Sequence, residues 1–289
     1  MAEYKQFDRQ YRLSIGPPGK PGFEIGDTTD PRKMPLSIEF AIEKSDLSTQ
    51  NTGTVSVWNM NKEHLSVLNQ KNCMVSLRAG YGNQLPLIFA GSITHATTEL
   101  DGASERTEIE LVDNLIAIRD TYVSISYNGT VSWKRILDDA AAQMGVAISF
   151  SKNVSFVDVG NGFSFVGPAK DILNKACKCC NLSWSIQNGI LQIKKPGDTM
   201  STEVFVLNKS TGLIGIPKSI VLAQDDAGNP TQRGWEVEYF LNGAINVNDY
   251  VRLESRKVTG YFVVQAIQLT GSNNTGDWKC TAKLLEVKG

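Results

Sequence analysis

The chain has 289 residues, 41% hydrophobic and 20% charged, the balance of a globular protein able to bury a core rather than of a disordered or fibrous one. Lys and Arg number 29 against 30 Asp and Glu, so no global field is available to hold a polyanion, and nucleic acid is excluded as the main partner. A polar start, Met1 to Arg12, and the lack of any run of about 18 apolar residues argue against a secretory leader or a membrane-spanning helix; five cysteines, three of them within Cys177-Lys178-Cys179-Cys180, suit a reducing cytoplasm better than a disulfide framework.

In chain order, the stretch from Ser14 to Arg32 is rich in Pro and Gly and reads as an extended arm or long loop. Leu36, Ile38, Phe40 and Ile42 then alternate with polar or small residues, a period of two that marks a half-buried strand. Further strands are expected at Thr54 to Trp58, Met74 to Tyr81, Leu87 to Thr94 and Thr107 to Val112, separated by turn residues such as Gly82-Asn83 and Asp101-Gly102. A short helix over Lys62 to Leu68, capped by Asn61, interrupts them. Together they predict a first domain, residues 1–120, that is a small antiparallel β-barrel or sandwich with an N-terminal arm.

The period then becomes helical. Trp133, Ile136, Leu137, Ala140, Ala141 and Met144 form one apolar stripe, with Thr130 or Ser132 as a cap and Gly145 as a left-handed stop, before a strand at Val146 to Phe150. The same phases recur 36 residues later at Ala169, Ile172, Leu173, Ala176, Cys177 and Cys180, with Pro168 at the start, Asn181 at the stop and a strand at Leu182 to Ile186. Asn188-Gly189 predicts a tight hairpin into Ile190 to Ile193. Two related helix-strand units therefore make a small α+β domain over residues 121–198. After the turn at Lys195-Pro196-Gly197-Asp198, strands at Val204 to Leu207, Trp235 to Leu241, Tyr250 to Glu254, Tyr261 to Leu269 and Trp278 to Leu285 make a third, β domain over 199–289. The fold class is α+β, mainly β.

No constellation in the sequence carries chemistry. Cys177 and Cys180 continue the apolar stripe, which makes them core thiols rather than zinc ligands. The two histidines, His64 and His95, lie outside any nucleophile motif. Asp138-Asp139 and Asp225-Asp226 lack the ligand spacing of a calcium loop, and the segment from Asp225 to Pro230 reads as an exposed loop tip. Gly212 to Gly215 lacks the lysine and helix of a phosphate-binding loop. Trp58, Trp235 and Trp278 fall in predicted strands and are assigned to the core rather than to sugar stacking. No catalytic residue, metal ligand or cofactor site is assigned. The alternatives are a peptidoglycan hydrolase, which needs a carboxylate or metal site, and a carbohydrate-binding module, which needs exposed tryptophan.

Several segments carry a resemblance: Leu36-Ser37-Ile38-Glu39-Phe40, the strand from Gly53 to Met60, Val75-Ser76-Leu77-Arg78-Ala79-Gly80-Tyr81-Gly82 followed by Ile88-Phe89-Ala90-Gly91-Ser92-Ile93, Phe165 to Leu173, Leu182 to Ile186 with Gly189 to Leu191, Thr211 to Pro217, and Val251-Arg252-Leu253-Glu254-Ser255. In this order they resemble the baseplate hub, or late control protein D-like, proteins of tailed bacteriophages, related in fold to the hub of phage T4 and to the hub part of type VI secretion spikes. That resemblance implies a non-enzymatic homotrimer in the virion tail tip, assembled in the host cytoplasm. Its two tube-like β domains would supply six similar modules around one axis and join a sixfold tube to a threefold spike. The partners it implies are a tail tube or distal tube protein, a central spike, baseplate wedge proteins and a tape measure protein. The sequence up to Gly289 carries no lysozyme-like or needle segment, which assigns hydrolysis and puncturing to other chains.

Overall fold

A computed structural model describes residues 8–113, 121–201, 203–224 and 230–286. In the first segment the strands are β1 (Arg9–Gly16), β2 (Phe23–Ile25), β3 (Ile38–Ser45), β4 (Thr52–Trp58), β5 (Met74–Tyr81), β6 (Leu87–Asp101) and β7 (Ser104–Val112), with helix α1 (Lys62–Leu68) between β4 and β5. The alternation read in β3 is realised: Ile38, Phe40 and Ile42 are buried while Glu39 and Glu43 face solvent. Asn61 caps α1 by accepting a hydrogen bond from the His64 amide.

The stretch from Ser14 to Arg32 is not a free arm. β1 pairs along its whole length with β5, and β2 folds back on β1. Its Gly and Pro content reflects the tightness of that hairpin: a Cβ on Gly22 would lie 2.2 Å from the Ile15 carbonyl oxygen, a contact only glycine avoids. Buried Tyr11 fastens the return by donating its hydroxyl to the Leu36 carbonyl and accepting from the Leu36 amide, both at 2.8 Å.

The middle segment has its own core. Its elements are β8 (Tyr122–Tyr127), β9 (Val131–Ser132), α2 (Trp133–Met144), β10 (Ala147–Phe150), β11 (Asp158–Val159), β12 (Phe163–Pro168), α3 (Ala169–Cys180), β13 (Ser183–Gln187) and β14 (Ile190–Lys194). α2 buries the six residues of its predicted stripe, is capped by Ser132 and ends on left-handed Gly145. α3 repeats the arrangement and ends on left-handed Asn181. Asn188 and Gly189 both take positive φ, the type I′ geometry that matches strand twist and closes the β13–β14 hairpin. Strands β8 and β12 lie outside the sequence reading and pair with each other ahead of the two helices.

The last segment contains β15 (Val204–Leu207), β16 (Leu213–Gln224), β17 (Pro230–Phe240), β18 (Tyr250–Glu254), β19 (Thr259–Ser272) and β20 (Trp278–Glu286). The β strands of the first and last segments belong to one 13-stranded sheet, whose main path runs β16-β17-β20-β19-β3-β4-β7-β6-β5-β1-β2. They also share one hydrophobic core. Among the described residues this sheet does not close on itself.

Within it a four-strand unit occurs twice. β3-β4-β7-β6 and β16-β17-β20-β19 have the same connectivity, and in each a shorter strand, β5 or β18, pairs with the first part of the long strand. Both long strands are irregular at the same point, β6 between Ile93 and His95 and β19 between Val264 and Ala266. The two units join head to tail: Ala266–Ser272 of β19 runs antiparallel to Ser45–Glu39 of β3 through seven residue pairs.

At this joint Gly271 sits opposite Phe40, and a Cβ on it would lie 2.4 Å from the Phe40 ring and 2.7 Å from the Trp278 ring. Gly271→Val is expected to force those buried rings apart and to lower stability by about 1–3 kcal/mol or more, as overpacking does. Urea unfolding measures it, and an unchanged midpoint would contradict the packing described.

Candidate functional site

The residues considered for chemistry are dispersed. Cys177 is buried in α3, its thiol pushed up to about 12 by burial, Cys180 is half-buried and Cys179 is exposed. His64 stacks on Phe23 with ring centroids 4.2 Å apart, and burial lowers its pKa. His95 lies within β6, exposed, 2.7 Å from the Thr97 hydroxyl. Asp138 pairs with Lys134, and Asp139 with Arg135 and the Tyr127 hydroxyl. Asp225 and Asp226 lie outside the described residues. Gly212 and Gly215 flank the start of β16 rather than a phosphate cradle. Among the described residues no group of three or more His, Cys, Asp and Glu side chains converges to hold a metal ion, and no helix is long and apolar enough to cross a membrane.

The tryptophans divide. Trp278 is buried against Phe40, as expected of a core residue. Trp235 is half-buried at the core's edge with the Lys257 ammonium over its ring. Trp58 instead lies half-buried on the open face of the sheet, where its indole donates to Asp101 at 2.9 Å and the Arg106 guanidinium covers its ring. The core assignment therefore fails for Trp58: β4 ends there and the indole is on the Ser56 side of the strand.

Two surfaces are built deliberately. The first is the open face of the 13-stranded sheet, where cross-strand pairing sets Glu39 and Glu43 of β3, Glu108 and Glu110 of β7, and Glu236 and Glu238 of β17 on one side. Lys279 pairs with Glu238 at 3.1 Å, and Lys218 reaches Glu236 and Glu238 at 3.6 and 3.9 Å. An open cleft of about 320 Å³ crosses this face over the β3–β19 joint, lined by Glu39, Thr54, Arg106, Glu108 and Asp277. No histidine is among the residues that line the cleft.

The second is a buried polar seam between the sheet and the middle segment. Lys44 continues the inward period of β3, yet it is buried, and its ammonium donates to the Asn188 side-chain oxygen at 3.1 Å and to Asn246 at 3.5 Å. Burial pushes its pKa down to about 8 against the attraction of Asp113, Cys280 and Asp249. Asn51 accepts from the Ser45 amide and donates to the Ile186 carbonyl at 3.1 Å and the Gln187 side-chain oxygen at 3.0 Å. Asp113 accepts from the Asn188 amide at 3.0 Å, Gln187 donates to the Ser45 carbonyl at 2.7 Å, and buried Lys194 meets Asp46 at 3.3 Å. Asn248 donates to Gln192 at 2.7 Å. Sequence reasoning missed this seam; its one local signal is Lys44, a charge at a core-facing position of a strand.

Asn51→Ala would leave the Ser45 amide, the Ile186 carbonyl and Gln187 short of partners in a buried site, and a loss of about 2–3 kcal/mol is expected in urea unfolding. A cost below about 0.5 kcal/mol, normal for surface positions, would show the seam to be incidental. Asp249 supplies a pH signature. Its carboxyl is pushed up to about 6 by burial, aided by Glu203 and opposed by the Asn246 amide and Lys44. Between about pH 4 and 6 the native state therefore holds a proton that the unfolded chain has released, and stability falls as pH rises through that window. Asp249→Asn is expected to flatten the decline in Tm over the same range; a variant that keeps the full decline would assign it elsewhere.

No protein-family model and no curated protein matches the sequence. Solved structures do. The chain is similar to the 43 kDa tail protein of prophage MuSo2 from Shewanella oneidensis at a TM-score of 0.63 and 9% identity, covering 96% of this chain and 97% of that one. It is similar to the tail protein from Neisseria meningitidis MC58 at 0.61 and 10%, again over 96% and 97%. The E. coli c3393 protein, a type VI secretion component described as structurally similar to the T4 tail proteins gp27 and gp5, matches at 0.59 and 9% over 88% of this chain and 74% of that one. The chain thus has, over nearly its whole length, the mainly β fold of these tail proteins and of the type VI secretion component.

Proposed function

We propose that the chain is the baseplate hub of a bacteriophage tail, a non-enzymatic subunit of a trimeric, pseudo-sixfold ring that joins the tail tube to the central spike. The observation that carries this reading is the duplicated four-strand unit joined head to tail through β19 and β3. A unit that already binds its own likeness by one edge has the geometry of a repeating collar, and two units per chain turn three chains into six modules. A head-to-tail contact is heterologous, so it closes into a ring when the rotation per unit divides the circle.

Tail and spike proteins of this fold support the placement. In that setting the tube protein, spike, wedge and tape measure proteins are the partners, and the acidic open face of the sheet lines the ring. More than about 2,000 Å² would be buried between neighbouring subunits, as in obligate assemblies. Electron microscopy of tail particles carrying a tagged copy of this chain tests the reading. A threefold ring of label at the tip of the tube is expected; label along the shaft or on the fibres would overturn it.

A further inference from the structure

Lys44 is a buried charge that ring assembly does not account for. It lies at a core-facing position of β3, 3% exposed. Among the described residues its ammonium makes no ion pair, and its hydrogen bonds go to carboxamide oxygens, Asn188 Oδ1 at 3.1 Å and Asn246 Oδ1 at 3.5 Å. An ammonium so placed bears the cost of leaving water with no opposite charge in contact. Three groups attract it from the elements packed around β3: Asp113 just after β7, Asp249 just before β18, and Cys280 of β20. Burial outweighs that attraction and pushes its pKa down to about 8, which brings a neutral, nucleophilic amine within reach near neutral pH.

The two carboxamides are not equivalent. The side-chain nitrogen of Asn246 is held by the Gly243 and Ala244 carbonyls, each at 3.3 Å. That of Asn188 has no hydrogen-bond partner among the described residues. The Asn188 backbone is nevertheless fixed: it takes positive φ at the tip of the β13–β14 hairpin, and its amide donates to Asp113 at 3.0 Å. The atom that Lys44 contacts, Oδ1, is bonded to the carbon an amine attacks, so the two groups are already held side by side. Asn188 is also only half-buried, which leaves a way out for a small leaving group.

We propose that Lys44 and Asn188 become joined by an isopeptide bond that the chain forms on itself, with Asp249 as the proton carrier. Lys44 first yields one proton to the Asp249 carboxylate. Its free amine then adds to the side-chain carbon of Asn188, gives a second proton to the departing nitrogen, and ammonia leaves. One C–N bond forms and one breaks, with no oxidant or cofactor consumed. Asp249 suits the first step because its carboxyl, pushed up to about 6 by burial, keeps a proton more readily than an ordinary carboxylate. Asp113 is committed to the Asn188 amide and the Asn51 side chain, and it acts by holding the hairpin in place. The product replaces a buried charge by a neutral amide and ties β3 to the β13–β14 hairpin across 144 positions of chain. It needs no partner, so it stands apart from the hub reading.

Mass spectrometry of the purified full chain, denatured after prolonged incubation at neutral pH, reads the bond directly. The chain is expected to be lighter by one ammonia, and tryptic digestion should yield a branched peptide in which Lys44, no longer a cleavage site, carries the segment around Asn188. Asn188-Gly189 can lose the same ammonia by closing on its own backbone into a succinimide, so the branch and not the intact mass decides. Ammonia lost from the Asn188 peptide without a branch, a branch at Asn246, or unmodified Lys44 and Asn188 peptides each overturn the proposal. Asp249→Asn keeps an acceptor for the Asn246 amide but cannot carry a proton. That variant is expected to fold with an unchanged circular-dichroism spectrum and to link about 100-fold more slowly, the usual worth of a positioned proton carrier. Linking at the original rate overturns the role given to Asp249.

Discussion

The structure depends on one antiparallel ladder, the seven residue pairs between β19 and β3. Without it the 13-stranded sheet would fall into one sheet of seven strands and one of six, each presenting a naked edge that invites any other strand. With it the two units share a core, and Ile42, Leu269 and Phe40 lie buried in the same cluster. Strand pairing alone tolerates slippage where both faces are permissive, and the open face here is largely polar. What fixes the register is therefore on the other face: Phe40 fits only over Gly271, and Lys44 reaches its partners only when β3 is seated as observed.

Lys44 also explains why the middle segment belongs to this fold rather than hanging from it. Its ammonium is held by the Asn188 side chain at the tip of the β13–β14 hairpin, and the backbone amide of the same Asn188 donates to Asp113 at the end of β7. A left-handed turn residue thus presents an acceptor and a donor to opposite charges in one step. Removing one partner from such a buried set is costly, whereas replacing the whole set by apolar groups often is not. The polar seam consequently contributes orientation more than affinity: it sets the angle at which the α2–α3 core stands on the sheet.

Much of this was legible locally. The alternation of β3, the Asn61 cap, the stripes of α2 and α3 with their left-handed stops, and the Asn188-Gly189 turn are each set by neighbours within a few residues, and the structure has them where the sequence places them. The misses share a cause. β16 is broken by Gly215 and Pro217, which read as a loop but form a bulge, and β6 continues past Thr94 to Asp101 over polar residues that have no core to declare them. β1 hides beside a Gly and Pro-rich hairpin whose purpose appears only when Gly22 is seen against Ile15. The contacts of Lys44 with Asn188, of Asn51 with Ile186 and of β19 with β3 each join residues more than 130 positions apart, and no window on the sequence contains both partners.

The free edge of β16, which corresponds to β3 in the repeat, differs from it in an instructive way. At the internal joint Lys44 recruits the middle segment; on the free β16 edge its place is taken by Val221, which can recruit nothing polar. The inner joint is clamped by a second core, whereas the free edges have no such clamp among the described residues. Surface ion pairs contribute at most about 1 kcal/mol, and a ladder of this length needs its apolar neighbours to be stable alone. The internal joint is thus held by buried apolar neighbours and by the polar seam behind it rather than by strand pairing alone.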